Sequence, residues 1–233
     1  MKRTQLRGLE ATIRRIDRVL SDKERVRELT IPLSRQLIRT CAEVIREVRS
    51  GGPSGKLLEK ARAAALRMKQ ASGRYPELYH SGVVQNALQE LAEAFVLAAL
   101  VKGQRLPAPE TFGCTPDAYL LGIGDAIGEL RRVAQDALRQ GHFEEAEDTL
   151  NVMEGLFSAL TLFDYPDAIA PVKHKQDIAR GLIEKTRGEV TVAARGRDLE
   201  LKISALERVL AQKKAPPVTK GKAGSGQRTA GRR

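Results

Sequence analysis

The sequence predicts an all-α protein, and three observations support this fold class. Leu, Ala, Arg and Glu dominate the 233 residues, and these side chains lose little rotamer freedom in a helix. Apolar residues recur every three or four positions along most of the chain, which is the period of an amphipathic helix. No pair of segments shows the two-residue alternation of neighbouring strands. We therefore expect a bundle of seven or eight helices.

Breaks in the apolar period set the boundaries of these helices. Ser21 and Glu24 have capping-box spacing, which predicts that a helix starts there. Pro32 should bend or restart that helix, and the SGGPSG run at residues 50–55 should end it. A proline-rich loop is expected at residues 106–115. The predicted helices cover about residues 6–20, 21–48, 56–71, 81–102, 117–140, 143–164, 167–192 and 198–212.

The segment from Ser81 to Lys102 differs from the other predicted helices because it is apolar nearly all round. Leu91 and Phe95 lie on one face, whereas Leu97 and Leu100 lie on the other. A helix without a polar face is usually buried on several sides. We therefore expect this helix at the centre of the bundle.

Cysteine, histidine and hydropathy patterns exclude several classes of protein. Two cysteines, Cys41 and Cys114, cannot build the disulfide framework of a small secreted domain. The three histidines are scattered, so a zinc site has almost no support. No apolar segment follows Met1, and no run reaches about 18 apolar residues. We expect a cytoplasmic protein that does not enter a membrane.

The net charge of +11 is concentrated at the end of the chain. Seven basic residues and no acid lie between Lys213 and Arg233, and without these seven the 40 basic residues fall to 33, against 29 acids. This stretch is also rich in proline and glycine, which do not sustain a helix. We expect a helical domain at residues 1–212 and a disordered basic tail at residues 213–233. The tail either gathers polyanions or only keeps the protein soluble.

Four acidic residues on two predicted helices are the candidates for chemistry. Glu90 and Glu93 share one face of the apolar helix, where carboxylates are costly to bury unless they are paired or bind a cation. Asp125 and Glu129 share a face of the next long helix. The neighbouring glycines at positions 122, 124 and 128 would let another backbone or a substrate approach closely.

Two facing carboxylate pairs would form an oxygen-rich site suited to Mg²⁺ or Mn²⁺. Such ions activate water and stabilise charge on a phosphate, so phosphodiester cleavage needs no histidine there. A simpler alternative is that Asp125 and Glu129 are solvated, with Arg132 as an ion-pair partner one turn away. Spacing alone leaves both interpretations open.

Two motifs resemble a known family. Residues 88–94 read LQELAEA and residues 115–130 read TPDAYLLGIGDAIGEL, which is similar to the QExxEA and TPxDYLLGxxDxxGEL helices of the translin superfamily, on its Trax side. Ala118, between the aspartate and the tyrosine, departs slightly from that pattern. Weaker similarity at residues 34–35, 175–180 and 185–187 extends the resemblance over most of residues 20–192.

The resemblance implies an all-α bundle of translin type that assembles into a closed, hollow homo-oligomer, a hexamer to an octamer, with RNA inside. Trax-type members are metal-dependent endoribonucleases, whereas translin binds RNA without the full acidic set. The resemblance therefore implies Glu90, Glu93, Asp125 and Glu129 as catalytic ligands of Mg²⁺ or Mn²⁺. The compact size is similar to a prokaryotic, archaeal version that self-assembles.

Candidate RNA-binding residues are arginines. Arg25 and Arg35 belong to a dense series on the second predicted helix, and Arg132 matches an arginine found in both branches of the family. A polyanion beside an acidic metal site needs such a basic surface. Arginines at this density also occur on helix faces that are merely solvated, so a role in binding RNA is a hypothesis.

Three functions compete at this point. The first is metal-dependent cleavage of single-stranded RNA inside a homo-oligomeric shell. The second is a translin-type protein that binds RNA or single-stranded DNA without cutting it. The third is an all-α nucleotide pyrophosphohydrolase, which ranks below the others because its second acidic motif typically reads ExxD rather than the DxxxE of residues 125–129. A di-iron bundle ranks lower still, because neither helix carries Glu-x-x-His.

Overall fold

The computed structural model describes the backbone of residues 8–214 and the side chains of residues 8–211. Within this range the chain is helical and contains no strand, which confirms the all-α prediction. A 3₁₀ turn at Pro109–Phe112 lies in the predicted proline-rich loop. The seven helices are α1 (Leu9–Arg49), α2 (Gly55–Ser72), α3 (Pro76–Tyr79), α4 (Gly82–Val101), α5 (Pro116–Arg139), α6 (Phe143–Leu160) and α7 (Lys173–Lys214).

The chain divides into two compact units, one up to Val190 and one from Thr191 onward. Helix α7 begins in the first unit and continues into the second. Its last residues, Lys213 and Lys214, are helical although we expected the tail to start there. Residues 215–233 lie outside the described residues, so the basic tail stays a prediction.

Helix α1 is continuous, so the expected start at Ser21 is wrong and Pro32 does not interrupt the helix. Proline removes one backbone hydrogen bond from a helix interior. Near it, the Thr30 hydroxyl donates to the Val26 carbonyl at 2.7 Å, and the buried Ser34 hydroxyl donates to the Thr30 carbonyl at 3.1 Å. Burial of one face of α1 against the bundle outweighs the loss of the backbone hydrogen bond at Pro32.

The two helices expected at residues 167–192 and 198–212 are a single helix, α7, which begins after Pro171. Gly196 lowers helix propensity by about 1 kcal/mol, which is too little to end a helix of this length. Its docking in the first unit is fixed by Arg131 of α5, which donates to Thr186 and pairs with Glu189, both at 2.7 Å. The short helix α3 was not expected.

Helix α4 is the centre of the first unit and packs against α1, α2 and α5. Its side chains Val84, Leu88, Leu91 and Leu97 are fully buried on several faces, as its apolar sequence predicts. By length and composition alone α4 could cross a membrane. Its burial inside the bundle is instead what a core helix shows.

Helices α4 and α5 approach each other closely at Gly122. A Cβ atom added there would lie 2.5 Å from the Ala92 Cβ, 2.7 Å from the Gln89 carbonyl oxygen and 2.8 Å from the Glu93 backbone nitrogen. Backbone atoms cannot move aside as a flexible side chain can. The absence of a side chain at Gly122 therefore sets the spacing of the two helices that carry the four acids.

We expect Gly122→Ala to destabilise the first unit by about 1–3 kcal/mol, the usual cost of overpacking a core. Gly128→Ala is the matched control, because its added Cβ would lie 3.8 Å from Leu182 Cδ1, an ordinary contact, and alanine favours helix. Urea denaturation followed by circular dichroism measures both. Equal stability of the two variants would show that the close approach at Gly122 is not a constraint.

Candidate active site

The four predicted acids lie on facing parts of α4 and α5. Glu90 and Glu93 are on α4, and Asp125 and Glu129 are on α5. Glu93 is 8% exposed, and the side chains of Asp125 and Glu129 are 25% and 12% exposed. The helices are joined here by Gln89, whose amide donates to Asp125 Oδ2 at 2.5 Å. Asp125 and Glu129 are therefore not simply solvated residues.

Burial and mutual repulsion raise the pKa values of the two glutamates on α4. The pKa of Glu93 rises from 4.5 to about 8, chiefly because the carboxyl is desolvated and then because Glu90, Asp125 and Glu129 are negative. The pKa of Glu90 is also raised, again by burial first and then by Asp125. The carboxylates are thus close enough to disfavour one another's ionised forms.

A lysine supplies positive charge to this cluster. The Lys175 ammonium, from the start of α7, donates to Asp125 Oδ1 and forms an ion pair with it. Its charge also lowers the pKa values of Glu90 and Glu93, against the stronger effects that raise them. The α7 backbone reaches this position beside Gly124, whose added Cβ would lie 2.8 Å from the Lys175 Cβ.

Glu129 is held by two arginines but keeps one unsatisfied oxygen. Arg132 pairs with Glu129 Oε1 at 3.0 Å, as the simpler alternative for these acids expected, and Arg49 of α1 lies 3.8 Å from Oε2. The Oε2 atom is buried and accepts no hydrogen bond. A buried carboxylate oxygen without a donor is costly, and it is suited to a cation.

The donor chemistry of the cluster fits a hard divalent cation. Its possible ligands are carboxylate oxygens, one of them unsatisfied, and a bound cation would reverse the rise in the pKa values of Glu90 and Glu93. Within residues 8–211, however, no three acidic, histidine or cysteine side chains converge on one point suited to a metal ion. Both Asp125 oxygens are engaged by Lys175 and Gln89. A cation bound by Asp125 would therefore compete with Lys175.

The three arginines predicted to bind RNA lie on two different helices. Arg25 and Arg35 are exposed on α1, whereas Arg132 is exposed beside Glu129 on α5. Sequence reasoning missed Lys175 and Arg49 as members of the site. Lys175 begins one of the weaker motif similarities, which was its only signal, and nothing local marked Arg49.

Comparisons with known proteins identify relatives of this chain. A family model described as the Translin family matches residues 23–187. The uncharacterised protein MJ0175 of Methanocaldococcus jannaschii is 32% identical over 174 residues, which cover 73% of this chain and 78% of the relative.

Solved structures of C3PO proteins are also similar to this chain. AfC3PO is 31% identical with a TM-score of 0.70, and the match covers 81% of this chain and 98% of that one. The AfC3PO–duplex RNA complex has the same identity and TM-score, with 97% of its chain covered. Apo-NeC3PO is 22% identical with a TM-score of 0.69, and the match covers 78% of this chain and 96% of that one. At this identity the similarity supports the fold alone. The family match spans more than half of the sequence and includes all four acids and Lys175, and the chain therefore belongs to the translin family.

Proposed function

We propose that this protein is a cytoplasmic, metal-dependent endoribonuclease that cuts single-stranded RNA inside a homo-oligomeric shell. The observation that carries the proposal is the buried carboxylate cluster on α4 and α5, with Glu93 shifted to a pKa of about 8. A structural role does not require four acids that disfavour one another's charge. Support for RNA comes from the relative AfC3PO, whose complex with duplex RNA has been solved.

The proposed ligands of Mg²⁺ or Mn²⁺ are Glu90, Glu93, Asp125 and Glu129. A bound ion of this kind supplies an activated water and stabilises negative charge on the phosphate. Arg49 and Arg132 offset the negative charge of Glu129 and orient its side chain, and the Gln89 amide orients the Asp125 carboxylate. These outer contacts are what would keep the carboxylates in place during turnover.

The proposed RNA surface consists of Arg25, Arg35 and Arg132. Exposed guanidinium groups contact phosphates without reading sequence, so we expect little base preference from them. A shell of six to eight copies would repeat this surface around its interior. The substrate would then be held by many weak contacts near several carboxylate clusters.

A second candidate is a protein that binds RNA or single-stranded DNA without cutting it. The ion pair between Lys175 and Asp125 favours this function, because it satisfies an acid that a metal site needs free. The absence of three converging ligands among the described side chains favours it too. Cleavage assays separate the two candidates.

Purified protein should cut a short labelled single-stranded RNA with Mg²⁺ or Mn²⁺ and not with EDTA. Glu93→Gln and Asp125→Asn should each lower the rate by at least about 100-fold, the upper range for loss of an outer partner of a metal site. Glu59→Gln, an exposed acid on α2, is the matched control and should keep full activity.

Two results of this assay would contradict the nuclease. Unchanged cleavage in both variants would exclude the carboxylate cluster as the active site. Tight RNA binding without cleavage in any metal would instead identify a binding protein.

Stability without metal should depend on pH through Glu93. Because its folded pKa of about 8 exceeds its ordinary value of 4.5, its stabilising protonated form is lost as pH rises through about 8. In EDTA, the Tm of the wild type should therefore fall relative to Glu93→Gln between about pH 5 and about pH 9. Mn²⁺ should reduce this fall, and Glu59→Gln should follow the wild type. Parallel curves for wild type and Glu93→Gln would contradict the raised pKa.

Removal of Lys175 should strengthen metal binding, since its ammonium neutralises Asp125. We expect Lys175→Met to lower the Mn²⁺ concentration that gives half-maximal thermal stabilisation by about tenfold. Lys173→Met, which removes an exposed lysine two residues earlier in α7, should leave it unchanged. Weaker binding in Lys175→Met would mean that Lys175 supports the metal instead of competing with it.

A further inference from the structure

The second unit carries an exposed apolar stripe on α7. It consists of Val192, Leu199, Ile203, Leu206 and Leu210, which are between 49% and 72% exposed. After the first interval of seven, their spacing is four, three and four, so they lie along one side of the helix. Such a stripe marks an interaction site when it continues over several turns.

The stripe follows a heptad repeat. Ile203 and Leu210 take the a positions, and Val192, Leu199 and Leu206 take the d positions, with Gly196 at the first a. Ile203 at a followed by Leu206 at d is the combination that favours two parallel strands over higher oligomers. The other core positions do not select a number of strands, so the flanking charges have to do so.

The charges beside the stripe select a second copy of the same segment. Arg195 and Lys202 occupy g positions, and Glu200 and Glu207 occupy e positions. In a parallel pair each g residue faces the e residue five positions later on the other helix. Arg195 then meets Glu200 of the second copy, and Lys202 meets its Glu207. An antiparallel pair would place like charges together.

An existing contact of Lys202 does not prevent this pairing. Its ammonium lies 2.6 Å from Asp198 Oδ2 within the same helix, and both side chains are more than 60% exposed. Ion pairs with this exposure contribute little. The lysine can therefore exchange or share its partner at small cost.

Another exposed stripe, on α1, is a poorer match. It consists of Leu9, Ile13, Ile16 and Leu20. Glu10 and Asp17 flank it on one side, and Thr12 and Val19 on the other. If this α1 stripe paired with α7, its acids could meet the basic g positions of α7. Glu200 and Glu207 would then face no cation. Two copies of the α7 segment satisfy both sides.

We propose that residues 192–210 form a parallel two-stranded coiled coil with the same residues of a second copy of this chain. The segment lies beyond residue 187, where the match to the family ends, so the interface is an addition to the shared core. A segment of this length, just under three heptads, is marginal alone. Their pairing is strengthened when other contacts already hold the chains together, because the effective concentration is then high.

Disulfide trapping in the full-length protein tests the pairing and its direction. Leu206→Cys places a thiol at a d position, where two parallel helices bring equivalent residues together, whereas Arg208→Cys places one on the outer face. The native Cys41 and Cys114 are buried. Under mild oxidation Leu206→Cys should give about tenfold more disulfide-linked dimer than Arg208→Cys. Equal yields would overturn the proposal.

A charge exchange identifies the occupant. In the Leu206→Cys background, Glu200→Lys with Glu207→Lys should lose cross-linking, and so should Arg195→Glu with Lys202→Glu. A mixture of the two variants should recover it as a dimer of unlike chains, seen with one chain carrying a size tag. Equal cross-linking in all of these charge variants would overturn the proposal. Preferred linkage of Leu206→Cys to a chain carrying Ile16→Cys would also overturn it. Circular dichroism checks that each variant stays helical, and RNA cleavage is not a readout.

Discussion

Four carboxylates lie between two helices that touch at a glycine, and the first unit has to offset the repulsion among them. The close approach of α4 and α5 at Gly122 leaves no room to move the acids apart. Their charge is reduced in two ways: Glu93 favours its protonated form, and Lys175, Arg49 and Arg132 bring cations from three helices. Helices α1, α5 and α7 thus each bring a cation to the acids, so electrostatic attraction adds to apolar burial in this unit.

The sequence predicts most of the helices because apolar periodicity is a local property. It also identifies α4 as central, since that helix lacks a polar face. It fails where local signals and long-range packing disagree. Ser21 with Glu24 and the isolated Pro32 suggest boundaries, but α1 continues because Ser34, Leu37 and later residues are buried against the bundle. The break expected before Asp198 is absent for a different reason: Gly196 is too weak a helix breaker to end α7.

The candidate site is predictable only in part. Glu90 and Glu93 are conspicuous because acids rarely occur on an apolar helix, and the glycines near Asp125 indicate a close approach. Whether the two carboxylate pairs face one another depends on how α4 and α5 pack, which the sequence pattern does not show. The roles of Lys175 and Arg49 also depend on tertiary packing. Lys175 lies 50 positions from Asp125 along the chain, and Arg49 lies 80 positions from Glu129. Arg49 lies in no motif, and Lys175 begins only a weak motif similarity that does not by itself mark a site.

The ion pair between Lys175 and Asp125 has a consequence for how the protein matures. A cluster that carries its own ammonium group has part of its charge balanced as soon as α7 docks. Under the proposed function, folding and assembly of the shell need not wait for a metal ion. Metal binding then becomes a late exchange of one cation for another, so a newly made chain would not cut RNA until it acquires a metal ion.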